Sequence, residues 1–235
     1  MDRRHFLAIG GATLSAALLD GCGLDRAPQA EPVLRSAERR NEAIERSLFR
    51  HRSVDRPPAG ARAAGAAFPM YFISKHPPVW DESVRGAWTL EVTGAVKRPI
   101  KLTLPELVKL RSVTQRVDHF CVEGWTAVAE WTGVRMRELA RIVEPTPDAG
   151  YVDFQSFDDD YHESWDIESA MHPQTIVAYG MDGRYLGVPH GAPARVHSPV
   201  KLGYKNTKYL TRIVFLPARN GGYWSDQGYE WYGGV

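Results

Sequence analysis

The pattern of the chain changes at Phe68, and that break limits the fold more than any other feature. Before it, residues 23–67 contain Arg- and Ala-rich sequence, Pro57-Pro58 and an Ala/Gly stretch from Ala59 to Ala67. Such composition reads as a tether, interrupted by a short amphipathic helix around Ile44 and Leu48. After it, aromatic and β-branched residues alternate with polar ones. Trp88-Thr-Leu-Glu-Val and Tyr151–Ser156 alternate as half-buried strands, while Thr175–Tyr179 and Arg212–Leu216 read as buried strands. Helices are few. Thr103-Leu-Pro-Glu106 is a capping box opening a helix to about Leu110, a second helix is expected over Val134–Val143, and a third starts at Asp166 and ends before Pro173. These short elements interleave without a βαβ rhythm or an internal repeat, and no glycine-rich nucleotide fingerprint follows a strand. The expectation is a single mixed α+β domain over residues 68–235.

The first 22 residues are of another kind. Arg3-Arg4 precede an apolar run from Leu7 to Leu19 that is too short and too rich in small residues to span a bilayer. Arg-Arg-x-Phe-Leu resembles the twin-arginine export signature, with Asp2 where Ser or Thr is usual. That route carries folded proteins, often with a cofactor already inserted, so the expected location is the periplasm. Leu19-Asp20-Gly21-Cys22 resembles a lipobox, and both acylation of Cys22 and ordinary cleavage nearby remain open.

Only two cysteines are present. Once Cys22 is removed or acylated, Cys121 has no intramolecular partner, and in an oxidising compartment it is either buried and inert or occupied by a function. It closes an extended segment and meets a Gly-containing turn, Cys121-Val-Glu-Gly-Trp125. There it could be a soft ligand to a transition metal if cations hold its pKa down, or a nucleophile with His119 as base. The formal net charge of +1 provides no global field to attract nucleic acid. Locally, however, Gly183–Ser225 contains no Asp or Glu, where even mixing predicts about 5. Within it, Lys201-Leu-Gly-Tyr-Lys-Asn-Thr-Lys208 combines glycine with ammonium and hydroxyl donors. It reads either as a solvated basic face or as a site for a phosphate-like anion. The aromatic end, through Trp231-Tyr232, reads as a tail packed over the domain.

Taken together, the ordered segments resemble the molybdopterin-binding domain of the sulfite oxidase family over about Phe68 to Trp231. They are Ile73-Ser-Lys-His76, Cys121-Val-Glu-Gly-Trp125, Trp131-Thr-Gly133, His172-Pro-Gln-Thr175, His190-Gly-Ala-Pro-Ala-Arg195 and Lys201–Lys208. The resemblance implies a sulfite-oxidase-type fold and a molybdenum–molybdopterin cofactor, with one pterin dithiolene and the Cys121 thiolate on the metal. It implies cofactor contacts from His190, Arg195, Lys205, Asn206, Thr207 and Lys208, and also from Lys75, His76 and Ser156. The implied chemistry is oxygen-atom transfer at a sulfur-like centre, with one-electron exchange to a haem-containing partner, either a membrane subunit or cytochrome c. Gly124-Trp125 and Ser74 stand where sulfite oxidases carry arginines. Cys-Val-Glu-x-Trp and the export signal are similar to periplasmic methionine-sulfoxide reductases acting on protein methionine sulfoxide, although His190 replaces an Asn found there. The missing immunoglobulin-like dimerisation domain implies a monomer. Two readings from other classes compete: a non-catalytic exported module holding an anion or pterin, and a cysteine-dependent hydrolase.

Overall fold

The computed structural model describes residues 31–48, 68–158 and 160–235. The export signal, Cys22 and the Pro57-Pro58 and Ala/Gly stretches lie outside these residues. The chain divides into two compact units, Met1–Leu48 and Phe49–Val235. In the first, helix α1 (Glu31–Leu48) is 18 residues long, longer than the short helix expected inside the tether. Arg46 pairs with Glu42 one turn earlier at 3.1 Å.

The second unit carries all the strands described. Its elements are α2 (Glu82–Arg85), β1 (Thr89–Gly94), β2 (Ile100–Thr103), α3 (Leu104–Lys109), β3 (Ser112–Phe120), β4 (Thr126–Arg135), α4 (Met136–Val143), β5 (Tyr151–Ser156) and β6 (His162–Asp166). There follow α5 (Ile167–Ala170), β7 (Ile176–Met181), β8 (Arg184–Tyr185), β9 (Arg195–His197) and β10 (Leu210–Leu216). Two sheets result. One has the order β2-β1-β10-β5-β6, and the other runs β3-β4-β7-β8 with β9 also on β7. The fold is the mixed α+β arrangement that the interleaved pattern predicts. Among the described strands only β1 and β10 pair in parallel, with Glu91 opposite Arg212 and Gly94 opposite Phe215.

Local chemistry explains the helix ends. Glu106 Oε2 accepts from the Thr103 backbone N–H at 2.8 Å and from its hydroxyl at 2.7 Å, which opens α3 as expected. Asp166 caps α5, accepting from Ser169 N at 2.7 Å and Ser169 Oγ at 2.6 Å. One helix boundary differs from expectation. Val134 and Arg135 belong to β4, because they pair with Val177 and Ile176 of β7, so α4 begins at Met136.

The main core lies between the first sheet and α3, α4 and α5. Leu90, Val92, Phe154, Ile213 and Phe215 alternate inward from their strands and meet Leu107, Met136, Leu139 and Val143. Burying each such side chain contributes about 1.5–3 kcal/mol. A smaller cluster on the second sheet contains Val117, Ala129, Trp131, Ile176 and Ala178. The C-terminal tail packs back as expected, with Trp231 and Tyr232 buried.

Candidate active site

The β3–β4 hairpin brings Cys121 to the rim of the second sheet. Cys121 N–H donates to Trp125 O at 2.9 Å and Gly124 N–H donates to Cys121 O at 3.0 Å, closing a tight turn. Gly124 takes a φ of +86°, a region costly to residues with a side chain, so glycine is needed there. The turn leaves the partly exposed thiol on the wall of a cleft of about 310 Å³.

The opposite wall comes from β9 and the Lys201–Lys208 loop. Gly203 lets this loop close on the hairpin, since a Cβ there would sit 2.8 Å from His119 Nε2. Asn206 locks the loop from inside: its Oδ1 accepts from Ser198 N at 2.7 Å, and its amide donates to Lys201 O and Leu202 O at 3.1 and 3.0 Å. A strap formed by Phe68–Ile73 covers one side. Phe68 packs its ring against His119, Trp131 and His190, and Lys208 Nζ donates to Tyr71 O and, at 3.1 Å, to Pro189 O. Ser74 Oγ ties the end of the strap to the Asp158 carboxylate.

Six of the residues singled out from the sequence line this one cleft: Cys121, Ser156, His190, Arg195, Asn206 and Lys208. The other four stand elsewhere. Lys75 and His76 are exposed beyond the strap. Lys205 is fully buried and donates to Glu163 at 2.5 Å, and Thr207 is buried beneath the loop. Sequence reasoning passed over Tyr71, Asp158, Tyr161 and Tyr209, and named Phe68 only as the start of the domain; with Trp125 of the Cys121 motif these complete the walls. The strap side chains gave no motif; Tyr161 is placed by the β5–β6 connection, where its carbonyl accepts from Ser156 N, and Tyr209 by the entry to β10, where its carbonyl accepts from Phe157 N.

Arg195 is the most informative of these side chains. It is 3% exposed, its guanidinium donates to the carbonyls of His190, Asn206 and Val196 at 3.2, 3.1 and 3.4 Å, and it lies over the Trp131 ring. Among the described residues no carboxylate pairs with it. Burial lowers its pKa from 12.5 to about 10. A buried cation without a counter-ion is costly, and an anion bound in the cleft would offset that cost. Burial also lowers Lys208, to about 7. Tyr209 Oη and Thr207 Oγ1 are buried with no hydrogen-bond partner among the described residues. A large ligand with an anionic end and several acceptors fits this wall.

The nucleophile reading fails on geometry and charge. His119 Nδ1 faces His197 Nε2 at 3.4 Å, and burial, with Arg195 and Lys208 nearby, lowers His119 to about 3. Burial pushes the Cys121 thiol up, and the Glu123 charge adds to this, so the free thiol holds its proton. A metal ion would have to displace that proton. Among the described residues no three His, Cys, Asp or Glu side chains cluster to hold a metal.

The model of the oxidoreductase molybdopterin binding domain matches residues 76–224. The chain belongs to this family of molybdopterin-binding oxidoreductases. An Azospira oryzae protein provisionally named protein-methionine-sulfoxide reductase subunit YedZ1 is 35% identical over 99% of this chain and 87% of its own length. The protein-methionine-sulfoxide reductase catalytic subunits MsrP of Xanthomonas campestris and Ralstonia nicotianae are each 35% identical, over 62% and 55% of this chain and 50% and 44% of theirs. The chain thus spans about half the length of these catalytic subunits. The sulfane dehydrogenase SoxCD of Paracoccus pantotrophus superposes with a TM-score of 0.53 at 20% identity, over 56% of this chain and 39% of that one. That likeness shows the sulfite-oxidase-type fold. In this member of the family, the buried Arg195 and the partly exposed Cys121 line the same cleft.

Proposed function

We propose that this oxidoreductase is exported to the periplasm, holds molybdenum–molybdopterin through Cys121, and reduces methionine sulfoxide in proteins with electrons from a haem-containing partner. The observation that supports this reading is a single cleft shared by a protonated, partly exposed thiol and a buried guanidinium with no counter-ion. When bound, the cofactor supplies two-electron oxygen-atom transfer at sulfur. In the net reaction the sulfoxide takes up two electrons and two protons, its sulfur–oxygen bond breaks, and the products are the thioether and one water; the haem partner delivers the electrons singly.

The chain's own residues divide the remaining work. Cys121 releases its proton and contributes the thiolate. Arg195 and Lys208 hold the anionic end of the cofactor, and Tyr209 Oη and Ser156 Oγ provide polar contacts along the same wall. Phe68, Phe72 and His190 exclude water on the strap side. Export by the twin-arginine route accounts for a cofactor inserted before secretion, and acylation of Cys22 would keep the enzyme near a membrane partner.

Relatives named as methionine-sulfoxide reductases favour sulfoxide reduction over sulfite oxidation, as does the lack of arginine at Ser74 and Gly124-Trp125. Wild-type protein exported from a molybdopterin-making host should contain near-stoichiometric molybdenum and should oxidise a reduced artificial carrier when given a methionine-sulfoxide peptide. Cys121→Ser should keep the pterin and lose turnover. Metal-free wild-type protein with a readily alkylated thiol, or full turnover by the Ser variant, would overturn the proposal.

A further inference from the structure

The mouth of the cleft carries a charge that the cofactor does not use. Glu123 lies two residues after Cys121 in the hairpin turn and is solvent-exposed. Its Oε2 accepts from Trp125 Nε1 at 3.0 Å. The Trp125 ring in turn stacks on Tyr71 of the strap, with centroids 5.8 Å apart and an interplanar angle of 18°. Glu123 is thus held in place by Trp125, whose ring is backed by Tyr71 from the strap side of the cleft mouth.

Among the described residues no ammonium or guanidinium pairs with Glu123. The other ionised side chains lining the cleft are deeper. Asp158 and Arg195 are buried, Lys208 is half-buried, and His119 and His190 are driven neutral mainly by their burial. Among the charged side chains that line the cleft, Glu123 is therefore the exposed one. The exposed side chains of Tyr71, Val122 and Tyr229 surround that charge with apolar and aromatic surface. This surface suits a polypeptide segment and, through ring faces, a cationic side chain.

We infer that Glu123, oriented by Trp125, is a specificity-determining residue that selects substrates by charge, favouring sulfoxides flanked by basic residues and disfavouring acidic segments and oxyanions. The inference rests on the sulfoxide reading for the identity of the reacting group. The charge selection itself follows from the placement of the carboxylate. At a half-solvated rim, with charges roughly 6–8 Å apart, one unit charge alters affinity by about threefold to fivefold. Exchanging a flanking Lys for Glu therefore changes it by about tenfold at low ionic strength.

The test uses the holoenzyme and three peptides that carry one methionine sulfoxide flanked by Lys, Gln or Glu. Two quantities are read: the ratios of kcat/KM, and affinity by fluorescence anisotropy of the labelled peptides. Wild-type enzyme should rank Lys above Gln above Glu, and the spread should shrink as salt shortens the screening length. Glu123→Gln should bring the three within about twofold, and Glu123→Lys should invert the order. Comparing ratios within each variant removes any general change in activity, and molybdenum content and thermal stability check that each variant is folded and loaded. Equal wild-type values, or a Gln variant that keeps the wild-type ranking, would overturn the inference while sulfoxide reduction stands. Charge-ranked binding without turnover of any peptide would overturn the sulfoxide reading and leave the charge selection intact.

Discussion

Two groups of basic residues from the same acid-free stretch end in opposite circumstances. Lys201 and Lys205 are buried against carboxylates. Lys201 donates to Asp166 at 3.0 Å and to Tyr232 O at 2.6 Å, and Lys205 donates to Glu163 at 2.5 Å. Arg195 and Lys208, within 13 residues of the same segment, have only carbonyl oxygens as hydrogen-bond partners among the described residues. The first pair belongs to the frame, linking the loop to β6 and to the C-terminal tail. The second pair faces the cleft and remains available to an anion. A basic stretch in sequence thus contains both structural and ligand-directed charges, and only the position of the partner carboxylates separates them.

The largest expected effect comes from breaking a structural pair. In Asp166 burial by itself would raise the carboxyl, but the Lys201 ammonium and the Ser169 hydrogen bonds hold it below its ordinary value. A carboxylate with a depressed folded pKa contributes stability at neutral pH that is lost as pH falls through the folded value. Asp166→Asn leaves the Lys201 ammonium buried without its counter-charge and should cost about 3–5 kcal/mol. Urea denaturation at pH 7 measures the loss, which should shrink toward strongly acidic pH. An unchanged midpoint would place Lys201 with the ligand-directed group.

Next in size is the reverse experiment on Arg195. Arg195→Leu removes a buried charge that no described carboxylate balances but leaves the His190, Asn206 and Val196 carbonyls without its hydrogen bonds, so the two effects offset and the cofactor-free protein should change little in stability. Retention of the cofactor should nevertheless fall, with pterin dissociation faster by about thirtyfold or more. Pterin fluorescence and molybdenum content after extended dialysis check this. A destabilised apo-protein with normal retention would reverse the assignment and make Arg195 structural.

The smallest effect is a pH slope at Lys208. Burial, with Arg195 nearby, lowers its ammonium from the ordinary 10.5 to about 7. Below about pH 7 it is charged both folded and unfolded, and its burial cost is fully present. Between about 7 and 10.5 the unfolded chain binds the extra proton, so stability of the cofactor-free protein rises with pH over that window. Lys208→Met should remove this rise. Thermal melts at pH 6.5 and 9 compare the two proteins, and an identical slope in both would show that Lys208 is not desolvated.

Much of the frame was legible because it depends on near neighbours in the chain. The Thr103–Glu106 capping box, the Asp166 cap and the alternation in β1 all act within a few residues, whereas β5, expected to alternate, buries Val152, Asp153 and Phe154 in a row. The end of β4 was not legible, since Val134 and Arg135 are helix-compatible and become strand through pairing with β7. The site was legible in part. Cys121, Arg195 and Lys208 were named from motifs and line the cleft, whereas Lys205, named from the same motif, turned inward to Glu163, 42 positions earlier. Asn206 was named as a cofactor contact, and its side chain is occupied in locking the loop. Tyr71 and Phe68 went unread as site residues because a strap has no periodicity.

By itself, the sequence determined the family, through a resemblance that the matched domain bears out, and placed one cysteine in a glycine-containing turn beside a basic segment free of acids. Tertiary structure alone decided how that charge was divided. Ion pairing in a buried medium depends on distances of about 3 Å between residues far apart in the chain. Those distances are set by strand register between β5, β6 and β10, which no local pattern encodes.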